Sequence, residues 1–590
     1  MKRISFFWLT TFLFFFAQAN GQLPIMKASL KDYNEALNSI WLRKNKDNIL
    51  PLKNLDKIKV AFLHLGGESM LPTLQKYTDI KEVKSAKESL DGFDFVIIQL
   101  GTVTAPKLFQ LRDLKQATKA KIIVALPEKD WEKAKGPFEA MITTNKPNEY
   151  SYSLIGQFIF GGVIRLPAMP NPAVPVKSPF RLGYAPPEAV KMDHNILDQK
   201  IKEIVEFGLK NKAYPGAQVL IARHGKVVYH QTFGTATYDR KRPIRPDDIY
   251  DMASVTKVSA ALPALMILNG EGKFNLDEPL KKLWPKFKRT NKANLTWRSV
   301  LAHNARLKPW IPYWQNALRK HPKRNGWRFK WFTFKDHPSK RFPIKITDHL
   351  WLHRHYKRKI FRAITKSPLN PEPGYKYSGL AFYIFPTIVE NQTGDEFEHF
   401  LKSKIYKPLG ANTLTFNPLR FFPKDRIIPT ERDTFFRMQQ IQGTVHDEGA
   451  IMMGGVNGNA GLFGTANDMA KLWQMYLNKG TYGGHQFIKP EVIEEFTKCQ
   501  YCAEGNHRGL GFDKPLIEFD PDKASYAEAA PASLFGHSGY TGTLIWADPE
   551  NDLLLIFLSN RVYPTRNNRK LYTLNIRPKL HAAVYSSFLK

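Results

Sequence analysis

The sequence predicts two folded units in series: an α/β sandwich, then an α+β unit whose antiparallel sheet is flanked by helices and carries an all-helical subdomain. Three observations lead there. First, the apolar runs "KVAFLHLG" from Lys59, "DFVIIQLG" from Asp94 and "KIIVALP" from Lys121 alternate with polar segments of helical character. Continuous apolar strands separated by helices fit a parallel sheet covered on both faces. Second, "AQVLIAR" and "KVVYHQTFG" flank His224-Gly225, a hairpin signal. Third, a strand opening at His537 is expected to pair with "LLLIFLSN" across the turn from Asp548 to Asp552, ahead of a final helix.

Taken in order, residues 1–19 read as a signal peptide. Lys2 and Arg3 give a basic start, Ile4 to Phe16 an apolar core, and Ala17-Gln18-Ala19 an A-x-A cleavage pattern. The apolar core is shorter than the roughly 20 residues of a membrane span, and no cysteine follows for lipid attachment. The expected product is periplasmic or secreted, begins near Asn20, and has no membrane span. A chain of 590 residues has room for two to four domains of about 100–200 residues each.

Residues 20–166 form the expected α/β domain. Its words "WLRKNKDNILPL" at Trp41 to Leu52, "GQFIFGGVIRLP" at Gly156 to Pro167 and the later "RLGY" resemble the C-terminal α/β domain of family 3 glycoside hydrolases. In that family a barrel carrying the nucleophile precedes this domain, and the few residues before Trp41 cannot form one. The resemblance therefore implies a remnant without glycosidase activity, serving as a structural scaffold or a weak glycan contact.

Seven prolines between Pro167 and Pro187 mark a semi-rigid linker, assigned to 167–190. The second domain, 191–590, opens with the helical "MDHNILDQKIKEIVEFGLKN". Within it, 306–362 reads as a basic aromatic insertion: 17 Lys and Arg against Asp336 and Asp348, interleaved with Trp310, Trp314, Trp327, Trp331 and Trp351. The whole chain carries +34, from 87 basic and 53 acidic residues. Such a balance favours polyanions, either anionic envelope polymers or nucleic acid, and the export signal counts against nucleic acid. The plainer reading is a solvated insertion whose aromatics pack on their own domain. Cys499 and Cys502, the only cysteines, follow the helical "PEVIEEFTK". They can pair locally or remain thiols, and a lone CxxC does not make a zinc site.

Three short segments could carry chemistry. In "YDMASVTKVSAAL" a serine and a lysine three apart precede an apolar helical run. Residues at that spacing on a helix face one way, so Lys257 can reach the hydroxyl of Ser254. A serine is a weak nucleophile without a neighbouring base, and lysine serves as one when burial or nearby positive charge lowers its pKa. Pro263 is expected to kink the helix beyond the pair. Ser587 and Lys590 show the same spacing, so the pattern alone is weak. In "PEPGYKYSGLAFYIF", Tyr377 and Ser378 sit on a loop before a helix. In "FGHSGYTGTLIWADPENDLLLIFLSN", "GHSGY" fails as a nucleophile elbow, because residue 540 is tyrosine and a strand follows.

As an ordered triplet, the three segments resemble the motifs of the serine β-lactamase and penicillin-binding-protein superfamily over about 190 to 590. The likeness is greatest to the class C-like branch, which includes esterases and D-peptidases. The resemblance implies that Ser254 attacks a carbonyl and forms an acyl-enzyme, with Lys257 and Tyr377 sharing the proton transfers. It places His537 where many members have the lysine of Lys-Thr-Gly, to assist Tyr377 or contact a substrate carboxylate. Ser378, Ser538 and Gly539 fall in the binding motifs, and the N–H groups of Ser254 and Tyr540 would form the oxyanion hole. No cofactor or metal is required.

Several positions depart from the pattern. The second motif ends in Gly379 rather than Asn or Asp, which argues for an esterase or peptidase over an efficient β-lactamase. "LAHNARLKPW" stands where relatives have "LTHTSGL", and Asn459 stands where they often have His. His303 and His446 are accordingly expected to be structural. The function predicted is a serine hydrolase acting on a small ester or peptide-like substrate, such as a D-amino-acid amide. The alternative is a catalytically silent envelope-binding protein of the same fold.

Overall fold

A computed structural model describes residues 22–85, 88–163, 181–320, 327–330 and 332–589, without the side chains of 320, 327 and 328. The expected signal peptide, most of the proline-rich linker, Trp331 and the ring of Trp327 lie outside the described residues. No helix among those described is long and apolar enough to cross a membrane.

The first unit is a six-stranded sheet. Strands β1 (Ile40–Asn45), β2 (Val60–Leu65), β3 (Ile80–Val83), β4 (Phe95–Leu100), β5 (Lys121–Pro127) and β6 (Ala140–Thr144) are ordered β1-β6-β5-β4-β2-β3. All pairings are parallel except β1 with β6. The apolar runs are buried on both faces, as continuous strands require: Phe62, Ile97 and Ile123 face one core, and Leu63, Ile98 and Val124 the other.

The second unit is also built on a six-stranded sheet. Phe535–Ser538, Leu544–Asp548 and Leu553–Ser559 are followed in space by β8 (Gly216–Arg223), β9 (Lys226–Gly234) and β7 (Gly183–Tyr184). Every pairing is antiparallel except β7 with β9. The β8–β9 hairpin turns through His224 (φ 49°) and Gly225 (φ 68°), the two left-handed residues that a tight hairpin needs to match the strand twist. The helix His194–Lys210 is capped by Asp193, which accepts the Ile196 N–H at 2.8 Å. Its buried stripe Leu197, Ile201 and Val205 packs against the C-terminal helix Ile576–Ser586. On the other side of the sheet, helices including Leu262–Gly270, Trp297–Leu301 and Phe385–Thr393 build the helical part. The basic insertion adds two small sheets and the helix Tyr356–Lys366, so this part of the unit is not wholly helical.

A further difference concerns the third motif. His537 and Ser538 end a strand rather than begin one. They lie at the close of Phe535–Ser538, and Gly539 to Thr543 form the turn into Leu544–Asp548. The glycine-flanked "FGHS" is too short and too polar on one face for sequence pattern to separate it from the strand that follows.

Buried polar contacts join the units. Tyr184 Oη donates to Asn467 Oδ1 at 2.6 Å, and Asn467 Nδ2 donates to the Lys76 carbonyl at 3.0 Å. Lys471, 3% exposed, bridges the Tyr77 and Gly410 carbonyls. Gly410 permits this approach, since a Cβ there would lie 2.2 Å from the Tyr77 carbonyl oxygen.

Candidate active site

β10 (Tyr250–Asp251) leads into the Ser254 segment through a tight Asx turn: Asp251 accepts the N–H of Ala253 at 2.8 Å through one oxygen and that of His446 at 2.6 Å through the other. Ala253 takes a left-handed φ of 45°, the kind of strained backbone that structures retain at functional sites. The helix then begins, and Lys257–Ala261 forms a π-type turn before Leu262–Gly270 continues as α-helix with Pro263 in its first turn. Proline offers no N–H, and the carbonyls freed by this change of winding are taken up by buried tyrosines. Tyr476 Oη donates to Val258 O and Tyr406 Oη to Ser259 O, both at 2.8 Å.

Lys257 is 3% exposed and points at the half-buried Ser254. Its ammonium donates to Ser254 Oγ at 2.9 Å and to the Asn459 carbonyl at 2.8 Å, and lies 5.6 Å from the Tyr377 ring and 5.5 Å from the Phe382 ring. The Tyr377 hydroxyl donates to Ser254 Oγ at 3.3 Å. One serine hydroxyl thus has a lysine nitrogen and a tyrosine hydroxyl within hydrogen-bond reach. The other Ser-x-x-Lys match differs: Ser587 is buried with its hydroxyl on Val584 O, and Lys590 lies outside the described residues.

The Tyr377 loop is held from behind. His303 Nδ1 accepts the Ser378 N–H at 3.2 Å, and its ring centroid lies 4.6 Å from that of Tyr377. Burial first, then Arg508, keeps His303 neutral, well below its ordinary pKa. Ser378 Oγ donates to Lys308 O at 2.6 Å, and Gly379 N–H to Pro309 O at 3.2 Å, so Ser378 holds the loop to the first residues of the insertion. Gly379 leaves open space: among the described residues a Cβ there would meet only Lys257 Cε, at 3.9 Å.

The third motif closes the site from the sheet edge. A Cβ on Gly539 would lie 2.6 Å from the Met252 carbonyl and 3.3 Å from Ala253 Cβ, so only glycine lets the turn press against the residues before Ser254. Thr541 and Thr543 donate to the Asp251 and Met252 carbonyls at 2.8 and 3.2 Å. Tyr540 follows on that turn, 46% exposed, its ring 4.5 Å from the Arg561 guanidinium.

His537 is 4% exposed, with its ring 6.1 Å from that of Tyr377. Nδ1 donates to Ser538 O at 2.7 Å, and Nε2 has no hydrogen-bond partner among the described residues. Burial, and after it Arg508 and Lys257, lower the pKa of His537 to about 3, so the imidazole is neutral. Here it presents an acceptor rather than a cation.

Sequence pattern did not single out Arg508, Asp513, Tyr383 or Asp251. Arg508, 3% exposed, pairs with Asp513 at 2.8 Å, donates to Gly511 O at 3.0 Å and stands 5.8 Å from the Tyr377 ring. Tyr383 links Asn459 Nδ2 (3.2 Å) to Asp447 Oδ1 (3.0 Å), and so steadies the residue whose carbonyl receives Lys257. Asp251 alone had a usable signal, an Asp two residues ahead of a constrained backbone N–H. His446 belongs to a buried cluster with Glu431 (2.8 Å), Arg566 and Glu448. Burial alone would raise the Glu431 pKa, but His446 and Arg566 outweigh it and hold it at about 2. Cys499 and Cys502 form a disulfide after the helix Pro490–Thr497. Among the described residues, no group of three or more His, Cys, Asp or Glu is placed to hold a metal ion.

Comparison with known proteins adds four findings. The sequence pattern of the Beta-lactamase family matches residues 197–576. A relative from Escherichia coli (strain K12), whose name provisionally makes it a D-alanyl-D-alanine carboxypeptidase, is 30% identical over 394 residues, covering 62% of this chain and 82% of that protein. A Salmonella enteritidis relative with the same provisional name is 29% identical over 447 residues, covering 71% and 93%. Among solved structures, a penicillin-binding-protein homolog from Caulobacter crescentus matches with a TM-score of 0.45 and 19% identity, covering 66% of this chain and 97% of that one.

Proposed function

This chain belongs to the Beta-lactamase family and is a serine hydrolase, and from that premise we propose that it forms an acyl-enzyme on an ester or on an amide near a D-amino acid. The observation that carries the reading is the approach of both Lys257 Nζ (2.9 Å) and Tyr377 Oη (3.3 Å) to Ser254 Oγ. Ser254 Oγ adds to the substrate carbonyl while its proton passes to the Lys257–Tyr377 pair, which reacts with one proton fewer, as Lys257 amine with Tyr377 phenol or as Lys257 ammonium with Tyr377 phenolate. The tetrahedral oxyanion is received by the N–H groups of Ser254 and Tyr540, each worth roughly 100- to 1000-fold in rate. Return of the proton through Tyr377 releases the alcohol or amine, and water then hydrolyses the acyl-serine by the same path.

Gly379, with open space beside Lys257, favours an esterase or peptidase over an efficient β-lactamase. The provisional name of the relatives points to a peptide-like substrate. The N-terminal pattern favours export to the periplasm. We read the α/β unit as a scaffold derived from a glycoside-hydrolase domain, and the purified protein should release no nitrophenol from aryl glycosides. A fluorophosphonate or fluorescent penicillin should label the protein, and Ser254→Ala should abolish the label. An unlabelled wild type, or equal labelling of both, would favour a catalytically silent binding protein, while short-chain esters, nitrocefin and D-alanyl peptides rank the substrate classes.

A further inference from the structure

The basic insertion carries a surface that acyl transfer does not use. Its helix Tyr356–Lys366 turns Tyr356, Ile360, Phe361 and Ile364 into the core. The opposite face carries Arg358, Arg362 and Lys366, and Arg354 continues the same four-residue step just before the helix; all four are exposed. Each step along a helix rises about 6 Å, so cations recur along a ridge at roughly that interval. Exposed Arg341 adjoins its start, with its carbonyl accepting the Arg354 N–H at 2.9 Å.

Like charges one turn apart destabilise a helix. The insertion has only two acids, and both are engaged: Asp336 with His337 at 2.6 Å and Asp348 with Lys345 at 2.8 Å. Among the described residues no carboxylate lies within ion-pair distance of Arg354, Arg358, Arg362 or Lys366. The ridge is nevertheless firmly held. Lys292 caps the helix end by donating to the Thr365 and Ser367 carbonyls. Asn370 and Arg306 bond each other across the neck of the insertion at 2.7 Å in both directions, and the chain then runs into the Tyr377 loop. Beside the ridge Phe332, 53% exposed, has the Lys359 ammonium 5.6 Å from its ring.

We propose that this face docks a linear acidic polysaccharide, its carboxylates pairing with the Arg354–Arg358–Arg362–Lys366 ridge. Three of the four cations are arginines, whose planar fork matches a carboxylate two bonds at a time. A bilayer surface fits less well, because the helix has spent its apolar face on the protein core and has none to insert. Single-stranded nucleic acid calls for successive stacking aromatics, and the two aromatics of this helix, Tyr356 and Phe361, are buried in the core. Docking here would hold the hydrolase on an anionic matrix with its Tyr377 loop next to the attachment point. The proposal does not depend on the acyl chemistry.

The test is binding of the full chain to polygalacturonate at low and high salt. The quadruple variant R354E/R358E/R362E/K366E should bind at least tenfold more weakly at low salt and show a shallower salt dependence, with turnover of a small ester unchanged. The milder pair Arg358→Gln and Arg362→Gln, matched to wild type in thermal melting, should fall between the two and separates lost contact from lost folding. Equal affinity of wild type and the charge-reversed chain would overturn the proposal. So would tighter wild-type binding, at equal charge concentration, to a single-stranded oligonucleotide or to phosphatidylglycerol vesicles.

Discussion

Replacing Asp513 by Asn should destabilise the hydrolase domain and do so in a pH-dependent way. Arg508 is 3% exposed and has its carboxylate partner at 2.8 Å, while about 25% of the Asp513 side chain reaches solvent. Removing one partner of a buried pair costs about 3–5 kcal/mol, because the remaining charge is left uncompensated. Gly511 O still accepts from Arg508, and the partial exposure of Asp513 softens the loss, so the low end, about 3 kcal/mol, is expected. At about 2 °C per kcal/mol for a domain of this size, Tm should fall by about 6 °C at pH 7. Burial alone would raise the carboxyl pKa of Asp513, but Arg508 and then His507 outweigh it and hold it well below the usual range. A depressed folded pKa contributes stability above the unfolded value of about 3.9, which is lost as pH falls through the folded value. The gap in Tm between wild type and Asp513→Asn should therefore stay constant from pH 8 to 5 and narrow below about pH 4. Thermal melts across that range decide the matter. A drop under 2 °C at pH 7, or a gap that is unchanged at pH 2, refutes the reasoning.

Two substitutions address specificity. His537→Lys exchanges a neutral acceptor for a cation, and should raise kcat/KM for a free D-alanyl-D-alanine carboxylate over its C-terminal amide by at least tenfold; an unchanged ratio removes His537 from substrate selection. Gly379→Asn meets only Lys257 Cε at 3.9 Å, so the amide can reach the ammonium without strain. A hydrogen bond to a charged group is worth about 1.5–3 kcal/mol, and if it acts in the transition state nitrocefin turnover should rise about tenfold or more. A variant that folds with wild-type Tm and shows no gain would mean that the missing side chain does not limit β-lactam hydrolysis.

The features legible in the sequence are those set by neighbours along the chain. Apolar runs buried on both faces announced the parallel sheet, and His224-Gly225 supplied the positive φ angles of a tight hairpin. The three-residue spacing of Ser254 and Lys257 needs only one helical turn to bring the pair together. The charge of the insertion is a matter of composition, although its ordering into a ridge required the helix register. Tertiary structure alone decided what closes around the serine. The second partner of Lys257 is a backbone carbonyl at Asn459, and a carbonyl is common to every residue and leaves no mark in the sequence. Arg508 and Asp513 sit in a loop without a motif and matter because packing removes them from water beside Tyr377. The neutrality of His537 has the same origin. Its residue type and position were visible, but its charge state is set by burial and by Arg508 and Lys257, groups that only the folded chain brings to its side.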